Sequence, residues 1–286
     1  MTDQDYKDCY FRSQDGLSLY YRDYGNESLP GTPILCLAGL TRHSADFHDL
    51  ALRFSGRHRV LAMDLRGRGN SDYDPDASHY TPATYVNDIG HLLTAANCHQ
   101  IIVIGTSLGG LLAMVMGAAK PTALRAVVLN DVGPEIDPTG IARIQAYVGK
   151  ASVPSTMAEA AQAMQQIYGI AFPDLSPEDW MKQAEASYRI GNDGNLSLAY
   201  DPAIATTGGD VTKLNLWPYF NSLRSIPLLA LRGELSDLLN AKTFFEMQKQ
   251  NPDMIAVTVK NRGHAPLLDE PDCLLAIDHF IENVEK

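Results

Sequence analysis

The order of apolar segments predicts an α/β domain: a mostly parallel, twisted sheet with helices on both faces. Three observations carry that expectation. Apolar runs at 33–38, 59–64, 101–105 and 124–130 alternate with helix-period segments near 44–54, 81–97 and 108–119. The alternation resumes later, with an apolar run over 226–231, a helix near 241–250, a strand at 254–260 and a closing helix at 271–285. At 286 residues, 45% of them hydrophobic and 20% charged, the chain is long enough to bury one large core.

Each element has a local reason. Two alternating segments flank Gln14-Asp15-Gly16, and an Asp-Gly turn between such segments predicts an N-terminal β-hairpin. Thr81-Pro82 starts the second helix, with threonine as N-cap and proline at the first helical position. The β-α rhythm stops at Asp131-Val132-Gly133-Pro134, after the sixth strand. Alanine-rich, helix-period stretches follow at 141–149, 157–168 and 177–189, separated by Pro and Gly turns. Because the strand pattern then returns, residues 133–223 read as a helical cap on a core made of 1–132 and 224–286. Such a cap would lie over the carboxyl ends of the strands, where open α/β sheets place their ligands.

Composition narrows the function. The formal net charge of −11 argues against nucleic acid or an anionic membrane as the main partner, and would mildly repel anionic substrates. Cys9, Cys36, Cys98 and Cys273 form no C-x-x-C pair or metal spacing and read as reduced, mostly buried thiols. The acidic, polar start, Met-Thr-Asp-Gln-Asp-Tyr-Lys-Asp, is unlike a signal peptide. The most apolar stretch, 101–119, is interrupted by Gly105, Thr106, Ser107, Gly109 and Gly110, which argues against a membrane span. A cytoplasmic protein acting on a small molecule is the expectation. The sequence leaves its oligomeric state open.

The segment that says most about chemistry is Ile101-Ile-Val-Ile-Gly-Thr-Ser-Leu-Gly-Gly110, a strand running into a Gly-x-Ser-x-Gly turn. A sharp strand-to-helix bend pushes the Ser107 hydroxyl out where a substrate can reach it. The chain passes so close to positions 105 and 109 that only glycine avoids a Cβ clash. The strained backbone expected at the serine costs about 1–3 kcal/mol, which a purely structural serine has no reason to carry. The following helix would aim its N-terminus at the site and favour developing negative charge.

A serine hydroxyl needs a base, and the base needs an orienting acid. His264, in Asn261-Arg262-Gly263-His264-Ala265-Pro266, follows the last strand, and Asp237 follows the resumed strand. Both therefore belong at strand carboxyl ends, on the edge that carries Ser107. Among the other histidines, His58 opens a strand, His91, His99 and His279 sit in or beside helices, and His43 is poorly placed in chain order. Asp131 rivals Asp237 because it ends the strand next to the nucleophile strand, and Glu234 is a second rival. The order Ser, Asp, His favours Asp237. Oxyanion donors are expected from the backbone N–H of Leu108, after the nucleophile, and of Leu40, in the turn after the first parallel strand.

Ser107, Asp237, His264, the Ala38-Gly39 turn and Asp64-Leu-Arg-Gly-Arg-Gly-Asn-Ser71 together resemble the α/β-hydrolase superfamily, over about residues 15–285. Within it the chain is similar to the capped bacterial esterase and lactonase group. The resemblance implies a serine hydrolase without a cofactor, cleaving esters or lactones through an acyl-enzyme. It does not fix the substrate, because the fold hosts many chemistries. Many relatives have His-Gly where this chain has Ala38-Gly39. Serine at 107 argues against dehalogenase or epoxide-hydrolase chemistry, which needs a carboxylate nucleophile. A carbon–carbon hydrolase or a cofactor-free perhydrolase would keep the same triad, and a non-catalytic binding protein would let it erode.

Other signals are weaker. Gly67-x-Gly69 lacks the third glycine of a dinucleotide loop, and Arg66 and Asp72 read as loop ties. Asp72-x-Asp74-x-Asp76 has Ala77 and Ala83 where a calcium loop needs Gly and Glu, and no zinc spacing occurs, so no metal is expected. Tyr147, Tyr168, Trp180, Tyr188 and Trp217 could line a pocket, although aromatic residues at helical spacing more often build a core.

Overall fold

In the computed structural model, residues 5–150, 153–191, 193–206 and 215–286 are described. The N-terminal hairpin forms as the Asp-Gly turn predicts, from β1 (Lys7–Arg12) and β2 (Ser18–Tyr24). Six further strands complete the sheet: β3 (Gly31–Leu37), β4 (His58–Met63), β5 (Ile101–Thr106), β6 (Leu124–Asn130), β9 (Leu228–Gly233) and β10 (Ile255–Val259). Their order is β1-β2-β4-β3-β5-β6-β9-β10, antiparallel as far as the β2–β4 pair and parallel from there on.

The alternation along β3 and β5 divides the core into two layers. Leu35, Leu37, Ile101 and Val103 face one layer, which the helices α2 (Pro82–Ala95), α3 (Leu108–Ala119) and α8 (Ala241–Gln250) cover. Ile34, Cys36, Ile102 and Ile104 face the other, covered by α1 (His48–Phe54) and α9 (Pro271–Val284). Burying each such side chain contributes about 1.5–3 kcal/mol, so the central strands hold the frame on which the site is mounted. Thr81 caps α2 through Thr84 N–H, with Pro82 at its first turn, as the sequence implies. All four cysteines are free thiols, three buried and Cys9 half-buried.

Between β6 and β9 the chain leaves the sheet. The inserted segment contains α4 (Pro138–Tyr147), α5 (Met157–Tyr168), α6 (Pro177–Glu185), a hairpin of β7 (Tyr188–Ile190) and β8 (Leu196–Leu198), and α7 (Trp217–Asn221). It has a small core of its own, centred on Ala160, Phe172, Trp180 and Ala184. A capping box between Ser176 and Asp179 starts α6. The expected helix over 177–189 stops at Glu185, because Tyr188–Ile190 turns back through Gly191 and Gly194 into a strand pair.

The insertion is fastened to the sheet's carboxyl edge at several points. Gly263 N–H donates to the Ala171 carbonyl at 2.7 Å, and Tyr80 donates to Asp201 at 2.6 Å. Arg42, in the loop after β3, reaches the Gln183 side chain at 3.0 Å and the Ser187 hydroxyl. Among the described residues no helix is long and apolar enough to cross a membrane.

Candidate active site

The β5–α3 junction has the tight geometry that its glycines imply. Ser107 lies at φ 52°, ψ −112°, a strained backbone for a residue with a side chain. A Cβ on Gly105 would lie 2.5 Å from the Gly109 backbone, and one on Gly109 would lie 2.0 Å from the Leu37 carbonyl oxygen. Gly109 N–H donates to the Ala38 carbonyl at 3.1 Å, tying the start of α3 to the loop after β3.

His264, in the loop after β10, brings Nε2 to 2.8 Å from the Ser107 hydroxyl oxygen. Asn130 steadies this loop by donating to the Pro266 carbonyl at 2.8 Å and to Thr106 at 3.0 Å. The Glu270 carboxylate accepts from the Leu267 and Leu268 N–H groups at 2.8 and 3.0 Å and from Arg262 at 2.6 Å.

The carboxylate on the other side of the imidazole is Asp131. Its Oδ2 lies 2.8 Å from His264 Nδ1, and its side chain is wholly buried. It also accepts from Gly233 N–H at 2.8 Å and from the Ser236 hydroxyl at 2.6 Å. The tautomer that satisfies both imidazole contacts carries its proton on Nδ1, leaving Nε2 to accept from serine. Like Ser107, Asp131 has a positive φ, 54°.

The expected partnership between Asp237 and His264 is therefore corrected: the two share no hydrogen bond. Ser236 turns inward, closing a turn on Gly233 and giving its hydroxyl to Asp131, which leaves Asp237 facing α4. There it receives a two-pronged contact from Arg143, at 2.5 and 2.8 Å. Gly140 permits that approach, since a Cβ there would lie 2.7 Å from the Asp237 carbonyl oxygen. Burial alone would raise the Asp237 carboxyl, but the Arg143 hydrogen bonds and charge override it and hold it below the usual carboxylate range. Glu234, the other rival, is exposed and accepts from Asn261 N–H at 3.2 Å. The sequence marks Asp131 by its direct succession to the strand beside β5, but contacts from Gly233 and Ser236, distant in sequence, are what select it.

The loop carrying Leu40 runs beside Ser107, with a Cβ on Gly39 only 3.7 Å from Ser107 Cβ. Among the described residues neither Leu40 nor Leu108 gives its backbone N–H to a hydrogen bond. Arg68, fully buried and absent from the sequence-based site, donates from Nε to the Leu40 carbonyl at 2.9 Å and fixes that loop from below.

Ser107, His264 and Leu40 open on a cavity of about 340 Å3 between the sheet edge and the insertion. Of the five aromatic candidates, Tyr147, Tyr168 and Trp180 line it, and Tyr188 and Trp217 do not. Tyr200 joins the lining unforeseen. Away from the cavity, Asp15, Asp74 and His79 approach one another closely enough for a metal, but the Arg66 guanidinium already bridges the two carboxylates at 2.7 and 2.5 Å. Arg66 and Asp72 are loop ties, the latter accepting Ser18 N–H at 2.7 Å.

Known proteins bear on this geometry. A family model described as "Alpha/beta hydrolase family" matches residues 34–276. The chain is 33% identical over 261 residues to a 3-hydroxybutyrate-oligomer hydrolase of Cupriavidus necator, covering 88% of each chain. It is 30% identical over 268 residues to a 2-(acetamidomethylene)succinate hydrolase of Mesorhizobium japonicum, covering 93% of this chain and 92% of that one. A crystal structure of an alpha/beta hydrolase from Novosphingobium aromaticivorans superposes with a TM-score of 0.92 at 43% identity, over 97% of this chain and 98% of that one. By sequence match, sheet topology and relatives alike, the chain belongs to the alpha/beta hydrolase family.

Proposed function

We propose that the protein is a serine hydrolase of carboxylic esters, working through an acyl-enzyme on the Ser107–His264–Asp131 triad. The observation that carries this reading is the unbroken chain of contacts, 2.8 Å from Ser107 to His264 and 2.8 Å from His264 to Asp131, opening on a cavity. His264 takes the serine proton as the hydroxyl attacks the carbonyl, and Asp131 holds the imidazole in the required tautomer and stabilises the imidazolium. The N–H groups of Leu40 and Leu108 receive the oxyanion. His264 then returns the proton to the departing alcohol, and water attacks the acyl-enzyme with the same histidine as base.

Residues 133–223 act as a cap that shapes the cavity and limits water in it, a role in keeping with the insertion's own core and its ties to the sheet edge. The ester reading draws support from the Cupriavidus relative, whose name gives an oligomer of a hydroxy acid as its substrate. A cytoplasmic setting with reduced thiols and a small-molecule ester as the only required partner completes the proposal.

The test is hydrolysis of p-nitrophenyl esters, acetate to dodecanoate, by the wild type and Ser107→Ala. The proposal expects turnover that peaks at one chain length and falls about 10⁶-fold in the variant. Activity retained in Ser107→Ala would remove Ser107 from the nucleophile's role. Inactivity of the wild type on every ester, with turnover of a vinylogous diketone instead, would replace ester hydrolysis by carbon–carbon cleavage.

A further inference from the structure

Two guanidinium groups stand in the wall of the cavity that holds Ser107, and their hydrogen-bonding states differ. Arg42 has a partner for each of its N–H groups. It donates to Asp46 at 2.8 and 2.6 Å, to the Gln183 side chain and carbonyl at 3.0 and 3.5 Å, and to the Ser187 hydroxyl. It is a fastener between the loop after β3 and α6.

Arg143 is different. Asp237 takes Nε and one N–H of Nη2, and among the described residues Nη1 donates to nothing. Arg143 lines the cavity and Asp237 does not, and the carboxylate occupies only the Nε–Nη2 edge of the guanidinium. The Tyr168 ring lies 5.9 Å from the guanidinium carbon, and Tyr147 packs edge-on against Tyr168 at 5.7 Å. Burial, followed by the neighbouring Tyr147, raises the Tyr168 phenol far above its ordinary value, so its O–H stays protonated beside the arginine.

A planar guanidinium held along one edge by a carboxylate and open along the other is pre-shaped for a second carboxylate. Position matters here because the chain carries a net charge of −11, and its overall field opposes an anionic substrate. The cavity wall also includes Asp46, Asp49 and Asp269 beside Lys182. Of these, Asp46 is neutralised by Arg42. Among the described residues Arg143 pairs with no carboxylate other than Asp237.

We propose that Arg143, oriented by Asp237 and flanked by Tyr147 and Tyr168, binds a free carboxylate on the substrate, making the enzyme selective for esters that carry an acid group beyond the scissile bond. This rests on the ester-hydrolase reading, and names the substrate class for the same site. Asp237 is then a positioning residue for specificity.

The test compares p-nitrophenyl hemiglutarate with p-nitrophenyl valerate, near-isosteric esters that differ in the terminal charge. The wild type is expected to favour the hemiglutarate in kcat/KM. In Arg143→Gln the ratio of the two kcat/KM values falls about 10–10²-fold, mostly through KM of the acid ester, and Arg143→Lys restores part of it. A purely structural Arg143 would lower both substrates together and leave the ratio in place, which would overturn the inference while the hydrolase reading stands. If the wild type cleaves neither ester, the ester reading fails. Glutarate binding by calorimetry to Ser107→Ala, with and without Arg143→Gln, then decides the carboxylate site directly: tenfold or greater weakening supports it, and equal affinity or no binding rejects it.

Discussion

Asp131 and Asp237 follow neighbouring strands, β6 and β9, on one edge of the sheet, and they have become different instruments. Asp131 is sealed from water and gives its carboxylate to one imidazole, one backbone N–H and one hydroxyl. Asp237 is 31% exposed and gives both oxygens to a single guanidinium from the insertion. The residue type is the same and the strand ends are adjacent, so the difference lies in what each loop turns toward it. Ser236 decides much of this: its inward hydroxyl completes the Asp131 site and leaves the next residue facing out. On our proposal one carboxylate serves the reaction, and the other serves the inserted segment and the choice of substrate.

The comparison can be broken first by stability. Asp131→Ala leaves a buried N–H, a hydroxyl and an imidazole without their acceptor, and each such loss costs about 1–3 kcal/mol. We expect a total of about 3 kcal/mol or more by urea unfolding. Asp237→Ala breaks a partly exposed pair worth about 1 kcal/mol or less. Equal losses would mean that burial does not separate the two sites.

A smaller effect sharpens the role of Ser236. Its hydroxyl is one of three donors on Asp131, so Ser236→Ala should slow ester turnover about tenfold, with little change in KM. A change in the acid-over-neutral substrate ratio instead would assign Ser236 to Asp237's function.

The pH dependence is smaller again. The Asp237 carboxyl is held below its ordinary value, so the contribution of its pair with Arg143 is complete above the usual carboxylate range and lost only as pH falls through the lowered value. Preference for the acid ester should therefore stay flat from about pH 8 to pH 6. A decline within that interval would show that some other group controls Arg143. The smallest effect is at Asp15, whose carboxyl the Arg66 hydrogen bond lowers to about 2. Its stabilisation is present above its ordinary value and disappears as pH falls toward 2, so Asp15→Asn should flatten the acid limb of unfolding slightly. No change in that limb would mean that Arg66 is held well enough by Asp74 and Asp88 alone.

What the sequence made legible follows the range of the interactions. The turn that carries Ser107 is written within five residues, because the close approach of Gly105 to Gly109 excludes side chains locally. His264 could be placed because it alone among the histidines sits in a Gly-flanked loop after the last strand. The acid could not be placed the same way. Asp131 and Asp237 satisfy the same positional rule, and contacts from Gly233 and Ser236, over a hundred residues from Asp131 in sequence, choose between them. The hairpin of Tyr188–Ile190 and Leu196–Leu198 escaped for a related reason: three-residue strands carry too short a pattern to overrule a preceding helical run. Nothing within the helix-period stretch 141–149 singles out Arg143, since its meaning depends on a cavity formed by distant segments.

The central claim is tested most directly by kcat for a neutral p-nitrophenyl ester in Asp131→Asn and Asp237→Asn, measured side by side. The account predicts a loss of about 10⁴-fold for Asp131→Asn, where the histidine is held in the wrong tautomer, and about tenfold at most for Asp237→Asn. A large loss confined to Asp237→Asn would contradict it, and would return the orienting acid to the end of β9.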